Sequence, residues 1–279
     1  MEAVEYSVPL YESISEAISL GLAGPLRRRA IEWLRYFRKD WVLDLGTGPG
    51  VSSRILLSTG FEKVVGVDPS PKLLKFATSM LGDGFHPVVG IAENLPFRAG
   101  SLDGVLTCFA LRDVKDLVES LREVSRVVRN DGGLAVVDIG KPDGLFWREL
   151  LWLYVSLGMP LVARLLIRGR IRGNPFRMII PTFQRLLTNG RLLALMEREF
   201  GPSKLKEFML GGLVIVEAKK AGSGLEMRIR PGRSLLHEVP VAMRPGDGTL
   251  SNINRVVHIH PALSEVVQRA SASVHWQLA

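Results

Sequence analysis

The run Val42-Leu43-Asp44-Leu45 passes straight into Gly46-Thr47-Gly48-Pro49-Gly50, and this junction constrains the chain more than any other stretch. Glycines at alternate positions let a backbone turn tightly and let a ligand approach without meeting a Cβ. A loop of this kind between a strand and a helix belongs at the carboxyl edge of an open α/β sheet, where such sheets bind ligands. The flanking sequence agrees. Short apolar runs at 41–45, 63–68, 86–91, 102–109 and 133–139 alternate with helical stretches, the pattern of βαβ units and a parallel sheet. Before the last run, Val114, Leu117, Val118, Leu121, Val124, Val127 and Val128 recur at helical spacing, and Asn130-Asp131-Gly132-Gly133 supplies a stop. Residues 10–39 read as helical with an interruption at Gly21–Pro25, and 143–200 as mostly helical. Residues 204–220 read as two strands around Gly211-Gly212, close enough to pair as an antiparallel hairpin. The expected fold is α/β: a Rossmann-like, seven-stranded, mostly parallel sheet with an antiparallel edge strand, helices on both faces and a C-terminal extension.

The loop admits two readings. A dinucleotide site wants G-x-G-x-x-G and a pyrophosphate resting on the helix N-terminus. Here the spacing is G-x-G-x-G, and Asp44 stands two residues before the first glycine. A carboxylate there repels a pyrophosphate and attracts an ammonium or sulfonium. That points to S-adenosylmethionine, which carries two cationic centres and no phosphate. Asp68 ends the second strand, 22 positions after Gly46, where a carboxylate can accept both ribose hydroxyls.

With these residues in view, the chain resembles class I S-adenosylmethionine-dependent methyltransferases, and more narrowly the ubiquinone/menaquinone-biosynthesis C-methyltransferase family. The resemblance covers about residues 8–220. It rests on VLDLGTGPG (42–50), VVGVDPS (64–70), AENLPF (92–97), SLDGV (101–105), CFALRDV (108–114), LREVSRVVRNDGGLAVVDIGKP (121–142) and LGGLVIVEAKK (210–220). It implies a cofactor site built from Asp44, Gly46, Thr47, Gly48, Gly50, Asp68 and Pro69, with adenine near Ala92 and Glu93 and Cys108 packing near the methionine part. Two positions depart from the family pattern. Ile91 replaces the usual aspartate before Ala-Glu-Asn, which leaves adenine recognition to backbone groups and Glu93. The usual Arg-Asn appears as Arg112-Asp113, which keeps the arginine and swaps an amide for a potential base. The implied organisation is a helical cap at 1–40, a cofactor-binding core at 41–142, a helical substrate lid at 143–200 and returning strands at 201–221. Residues 222–279 then form an extension, expected to be poorly ordered apart from one helix around 261–270.

Methylating a quinol carbon needs the methyl group in line with that carbon and a ring hydroxyl that has lost its proton. Arg112 is the candidate to stabilise the phenolate and Asp113 the candidate proton acceptor; the bland alternative makes Asp113 the N-cap of the helix starting near Val114. Asp138 and Lys141 are expected to face the substrate side. His86 reads as a packing residue. His258 and His260 alternate as on a strand but have no carboxylate or cysteine partners nearby, so no metal is expected. A single cysteine excludes an intrachain disulfide framework.

The net charge of +8 first suggests a nucleic-acid partner, but it is unevenly spread. Residues 1–143 balance to −2, whereas 144–200 carry +6. No nucleic-acid partner is expected: the Asn/Asp-Pro-Pro-aromatic motif of amino-methylating enzymes is absent after the fourth strand, where Cys-Phe-Ala-Leu-Arg-Asp stands. The apolar run 145–167 is interrupted by Arg148, Glu149, Arg164 and Gly158-Met159-Pro160, which favours two short helices over a membrane span. Arg164, Arg168, Arg170, Arg172 and Arg177 could meet anionic lipid headgroups. The expected partners are a small-molecule or lipid-soluble quinol and an anionic membrane surface, and the chain could form a homodimer. With no secretory signal in the acidic N-terminus, a cytoplasmic location is expected, peripheral on the inner face of the membrane. Rival readings are a methyltransferase with another small-molecule or lipid acceptor, an RNA or DNA methyltransferase, and a non-catalytic cofactor-binding subunit.

Overall fold

The computed structural model describes residues 15–16, 19–37, 40–158 and 179–220. Helix α1 spans Ala23–Leu34, followed by β1 Val42–Leu45, α2 Val51–Ser58, β2 Val64–Asp68, α3 Pro71–Leu81, β3 Phe85–Val89 and β4 Leu102–Cys108. A 3₁₀ turn at Leu111–Asp113 leads to α4 Leu117–Val127 and β5 Val128–Ile139. Helix α5, Leu145–Leu153, runs on into a π-turn at Tyr154–Gly158. After the undescribed stretch come α6 Ile179–Arg185, α7 Asn189–Glu199, β6 Ser203–Phe208 and β7 Leu213–Lys219.

The seven strands form one sheet in the order β3-β2-β1-β4-β5-β7-β6. Strands β1 to β5 pair in parallel, and β7 runs antiparallel to both β5 and β6. The antiparallel hairpin therefore closes one edge, with β7 next to last and β6 on the rim. Strands β1, β2 and β4 are buried along their whole length, because helices cover both faces. One face packs Leu43, Val105 and Val136 against Leu121 and Val124 of α4 and Met196 of α7. The other packs Val42, Leu106 and Val137 against Leu26, Ala30 and Ile31 of α1 and Leu56 of α2. Side chains alternate along a strand, so Asp44 and Cys108 fall on the α1 face.

Some boundaries differ from the sequence reading, each for a local reason. Gly24 and Pro25 do not break the N-terminal helix; they lie in the first turn of α1, where proline is tolerated. The turn lies just before it, at Leu20 and Gly21, both with left-handed φ. Strand β5 starts at Val128, not 133, because Val128 already pairs with Leu102 before Asn130–Gly132 bulge out and pairing resumes at Gly133. Asp131 takes a φ of 64° at that bulge. Helix α4 is capped by Asp116, whose Oδ1 accepts the amides of Val118 (2.9 Å) and Glu119 (3.0 Å). Asp113 is thus free of the capping role and sits in the preceding 3₁₀ turn. The proposed helix at 261–270, the remainder of the extension and the arginines at 164–177 lie outside the described residues.

Candidate active site

The carboxyl ends of β1, β2 and β4 converge on the glycine loop. Asp44 is buried there, and its Oδ2 accepts the hydroxyls of Ser53 (2.6 Å) and Thr47 (2.8 Å). Burial pushes the Asp44 carboxyl up, while the two hydroxyls and the charge of Arg27 pull it back. Asp44 and Thr47 therefore fix the loop to the start of α2. Asp68 closes the other side: its Oδ2 accepts the amide of Gly48 and its Oδ1 that of Ser70, both at 2.9 Å. Pro69 follows Asp68 at the turn into α3.

The three glycines divide their work. A Cβ on Gly46 would overlap that of Ala110 after β4, and one on Gly50 would lie 2.8 Å from Leu81 and 3.0 Å from Ala77. Those two permit protein packing. A Cβ on Gly48 would meet nothing within 4 Å, so this glycine faces open space. All three adopt left-handed φ.

Ala92 is buried next to the exposed Ile91, and Glu93 turns towards α4, where its Oε1 accepts the amides of Lys115 (2.6 Å) and Asp116 (3.2 Å). The carboxylate of Glu93 thereby ties the 91–94 turn to the approach to α4. Glu123 and Arg126 of α4 clamp the following residues: Glu123 accepts the Leu95 amide (2.8 Å), and Arg126 donates to the carbonyls of Leu95 and Phe97. Cys108 is buried, and desolvation pushes its thiol up to about 12, so it is neutral and unsuited to a nucleophilic role.

At the end of β4 and β5, the structure joins Arg112 to Asp138. The Arg112 guanidinium donates through Nη1 to Asp138 Oδ1 at 3.0 Å, and its backbone amide donates to Oδ2 at 3.2 Å. The Arg112 side chain is 15% exposed and that of Asp138 5%. Asp113 is 60% exposed, with Oδ2 3.7 Å from Arg112 Nε. Desolvation moves its carboxyl upward, opposed by Arg112 and reinforced by Asp138. Lys141 is engaged elsewhere: its Nζ donates to the carbonyls of Gln184 (3.0 Å) and Leu186 (3.1 Å), closing the end of α6. His86 stacks on Trp41, as expected of a packing residue.

Three groups escaped the sequence reading. Ser53 belongs to the Asp44 cluster. Asn189, buried at the start of α7, joins the Lys141 amide (2.7 Å), Glu207 (2.6 Å) and the Gly211 carbonyl (3.0 Å). Arg27 is buried on α1; positions 23, 27, 30 and 34 share one helical stripe, so a charge on an apolar face was the available signal.

Comparisons with known proteins point to a methyltransferase. A methyltransferase-domain family matches residues 43–136. The chain is 29% identical over 193 residues to a demethylmenaquinone methyltransferase of Thermotoga maritima, covering 68% of this chain and 82% of that one. It is 28% identical over 162 residues to a ubiquinone/menaquinone biosynthesis C-methyltransferase of Citrifermentans bemidjiense, covering 56% of this chain and 69% of the other. Among solved structures, a possible histamine N-methyltransferase of Thermotoga maritima superposes with a TM-score of 0.54 at 19% identity, over 78% of this chain and 99% of that one. A putative methyltransferase of Haloferax volcanii, solved with a methyltransferase activator, gives 0.56 at 15% identity, over 79% and 95%. These two speak for the fold.

The loop makes a direct prediction. Gly46→Ala should destabilise the chain by about 2–4 kcal/mol in urea unfolding, from steric overlap added to a disfavoured φ. Gly48→Ala should cost only about 1 kcal/mol, the backbone component alone. Equal losses would show that the two glycines do not differ in this way.

Proposed function

Because the chain is a class I S-adenosylmethionine-dependent methyltransferase, we propose that it transfers the methyl group to a ring carbon of a prenylated quinol, a demethylmenaquinol or a close relative. The cradle fits the cofactor's chemistry: two buried carboxylates and an open glycine suit a cationic ligand without phosphate. Asp68 would hold the ribose, Ala92 and the 91–94 turn the adenine, and Asp44 the cationic end. When bound, S-adenosylmethionine supplies an electrophilic methyl on sulfur.

One observation carries the acceptor class. A cavity of about 640 Å³ opens between α5, its π-turn and the turn before β7, lined by Leu20, Trp147, Leu150, Leu151, Tyr154 and Leu210 among others. Its walls are almost wholly apolar, as a prenyl tail requires. Gly212 lies close against Leu151 and Gly140 close against the Gly211 carbonyl, which brings the turn before β7 near the end of β5. Arg112, oriented by Asp138, would stabilise the phenolate of a ring hydroxyl whose free pKa is about 10. Asp113 would take the hydroxyl proton directly or through water. The ring carbon that accepts the methyl group would then lose its proton, which restores the aromatic ring.

The outer side of α5 supports a lipid surface as the place of collection. None of its residues is fully buried; Leu145 is 68% and Phe146 71% exposed. No helix among the described residues is long and apolar enough to cross a membrane.

Incubation with methyl-labelled cofactor and a quinol panel, followed by mass spectrometry, should yield a labelled C-methyl quinol; label only in other acceptors would refute the proposal. Arg112→Ala should lower kcat by about 10²–10³-fold with cofactor affinity nearly intact. A base must be deprotonated, so turnover should fall as pH drops through the raised pKa of Asp113, and Asp113→Asn should remove that acidic limb. A limb unchanged in Asp113→Asn would exclude it as the base. Separately, Leu145→Ser/Phe146→Ser should reduce sedimentation with anionic liposomes, and wild-type protein that stays in the supernatant would end the membrane proposal.

A further inference from the structure

We propose that Arg27 binds the α-carboxylate at the amino-acid end of the cofactor, an assignment that rests on the S-adenosylmethionine site above. Arg27 lies on α1 among Leu26, Ala30, Ile31 and Leu34, and only 2% of it is exposed. A buried guanidinium is costly unless its donors are paired. Its Nη2 donates to the Ser15 hydroxyl at 3.2 Å, and its Cζ stands 4.9 Å from the centre of the Phe109 ring. Its Nε and Nη1 have no hydrogen-bond partner among the described residues.

The unfilled donors lie beside the cofactor cradle. Phe109 directly follows β4 and is itself held at a φ of 59°, a conformation that a bulky residue rarely adopts. Asp44 and Cys108 share the α1 face of the sheet, and the charge of Arg27 keeps both lower than burial alone would. No carboxylate of the protein makes an ion pair with Arg27 among the described residues, although Asp44 is near enough to feel its charge. The cofactor has one anionic group, its α-carboxylate, next to an ammonium. A buried cation and a buried anion on the same side of the loop match that zwitterion in sign. A carboxylate against the guanidinium forms charge-assisted hydrogen bonds that satisfy the orphaned donors. Arg27 is then a cofactor-binding residue contributed by α1, outside the glycine loop.

The test pairs a change in the protein with a change in the ligand. S-adenosylhomocysteine and its decarboxylated analogue, which keeps the ammonium, are titrated calorimetrically into the full chain, wild type and Arg27→Met. Wild type should prefer S-adenosylhomocysteine by about 10–100-fold, since a lost charged hydrogen bond is worth that much. Arg27→Met should lose this preference while binding the decarboxylated analogue as wild type does. Arg27→Lys, which keeps the charge and guards against misfolding of Arg27→Met, should retain part of the preference. A preference undiminished in Arg27→Met, or absent in wild type that binds both ligands, overturns the assignment. Wild-type protein that binds neither ligand would instead refute the cofactor site itself.

Discussion

The hydrogen bonds from Ser53 and Thr47 to Asp44 are the constraint on which the cradle depends. They join the last polar residue of β1 to the glycine loop and to the first turn of α2, all in a buried setting. With β1 held this way, the amides of Gly46 and Thr47 reach the Val67 carbonyl at 2.8 and 3.1 Å, and Asp68 captures the Gly48 amide. Two neighbouring parallel strands thus present their carboxylates around one open glycine before any ligand arrives. Preorganisation of this kind lowers the ordering cost of binding.

The rest of the fold arranges the reacting partners about that cradle. Its central strands would carry the cofactor-binding residues, whereas the end of β5 and the turn before β7 would face the acceptor. The Arg112–Asp138 pair joins the 3₁₀ turn after β4 to the end of β5, so the Arg112 guanidinium is oriented by the sheet itself. Asn189 performs a comparable task, tying α7, β6 and the Gly211 turn to the exit of β5. The +8 charge is unevenly spread along the sequence: residues 1–143 balance to −2, whereas 144–200 carry +6.

The parallel strands were legible because burial on both faces writes them as continuous apolar runs, and the glycine loop because left-handed backbone needs glycine. Legibility failed where one residue type serves two purposes. Asn130–Gly133 reads as a helix stop, yet Asn130–Gly132 bulge within a strand that is paired at Val128 and again at Gly133. Gly24 and Pro25 read as a break but occupy a first helical turn. Asp113 reads as the cap of α4, yet it lies in a 3₁₀ turn and Asp116 takes that role. Glu93 was linked to adenine by resemblance, while its carboxylate holds the amides of Lys115 and Asp116. Arg27, one of three consecutive arginines, is buried because α1 packs on the sheet, a tertiary fact that composition does not carry.

The most direct test of the account is calorimetric binding of S-adenosylhomocysteine to the wild-type chain and to Asp68→Ala. A cradle organised as described should bind one ligand per chain and lose at least about tenfold in affinity when the ribose-facing carboxylate is removed. Affinity unchanged by Asp68→Ala would contradict it.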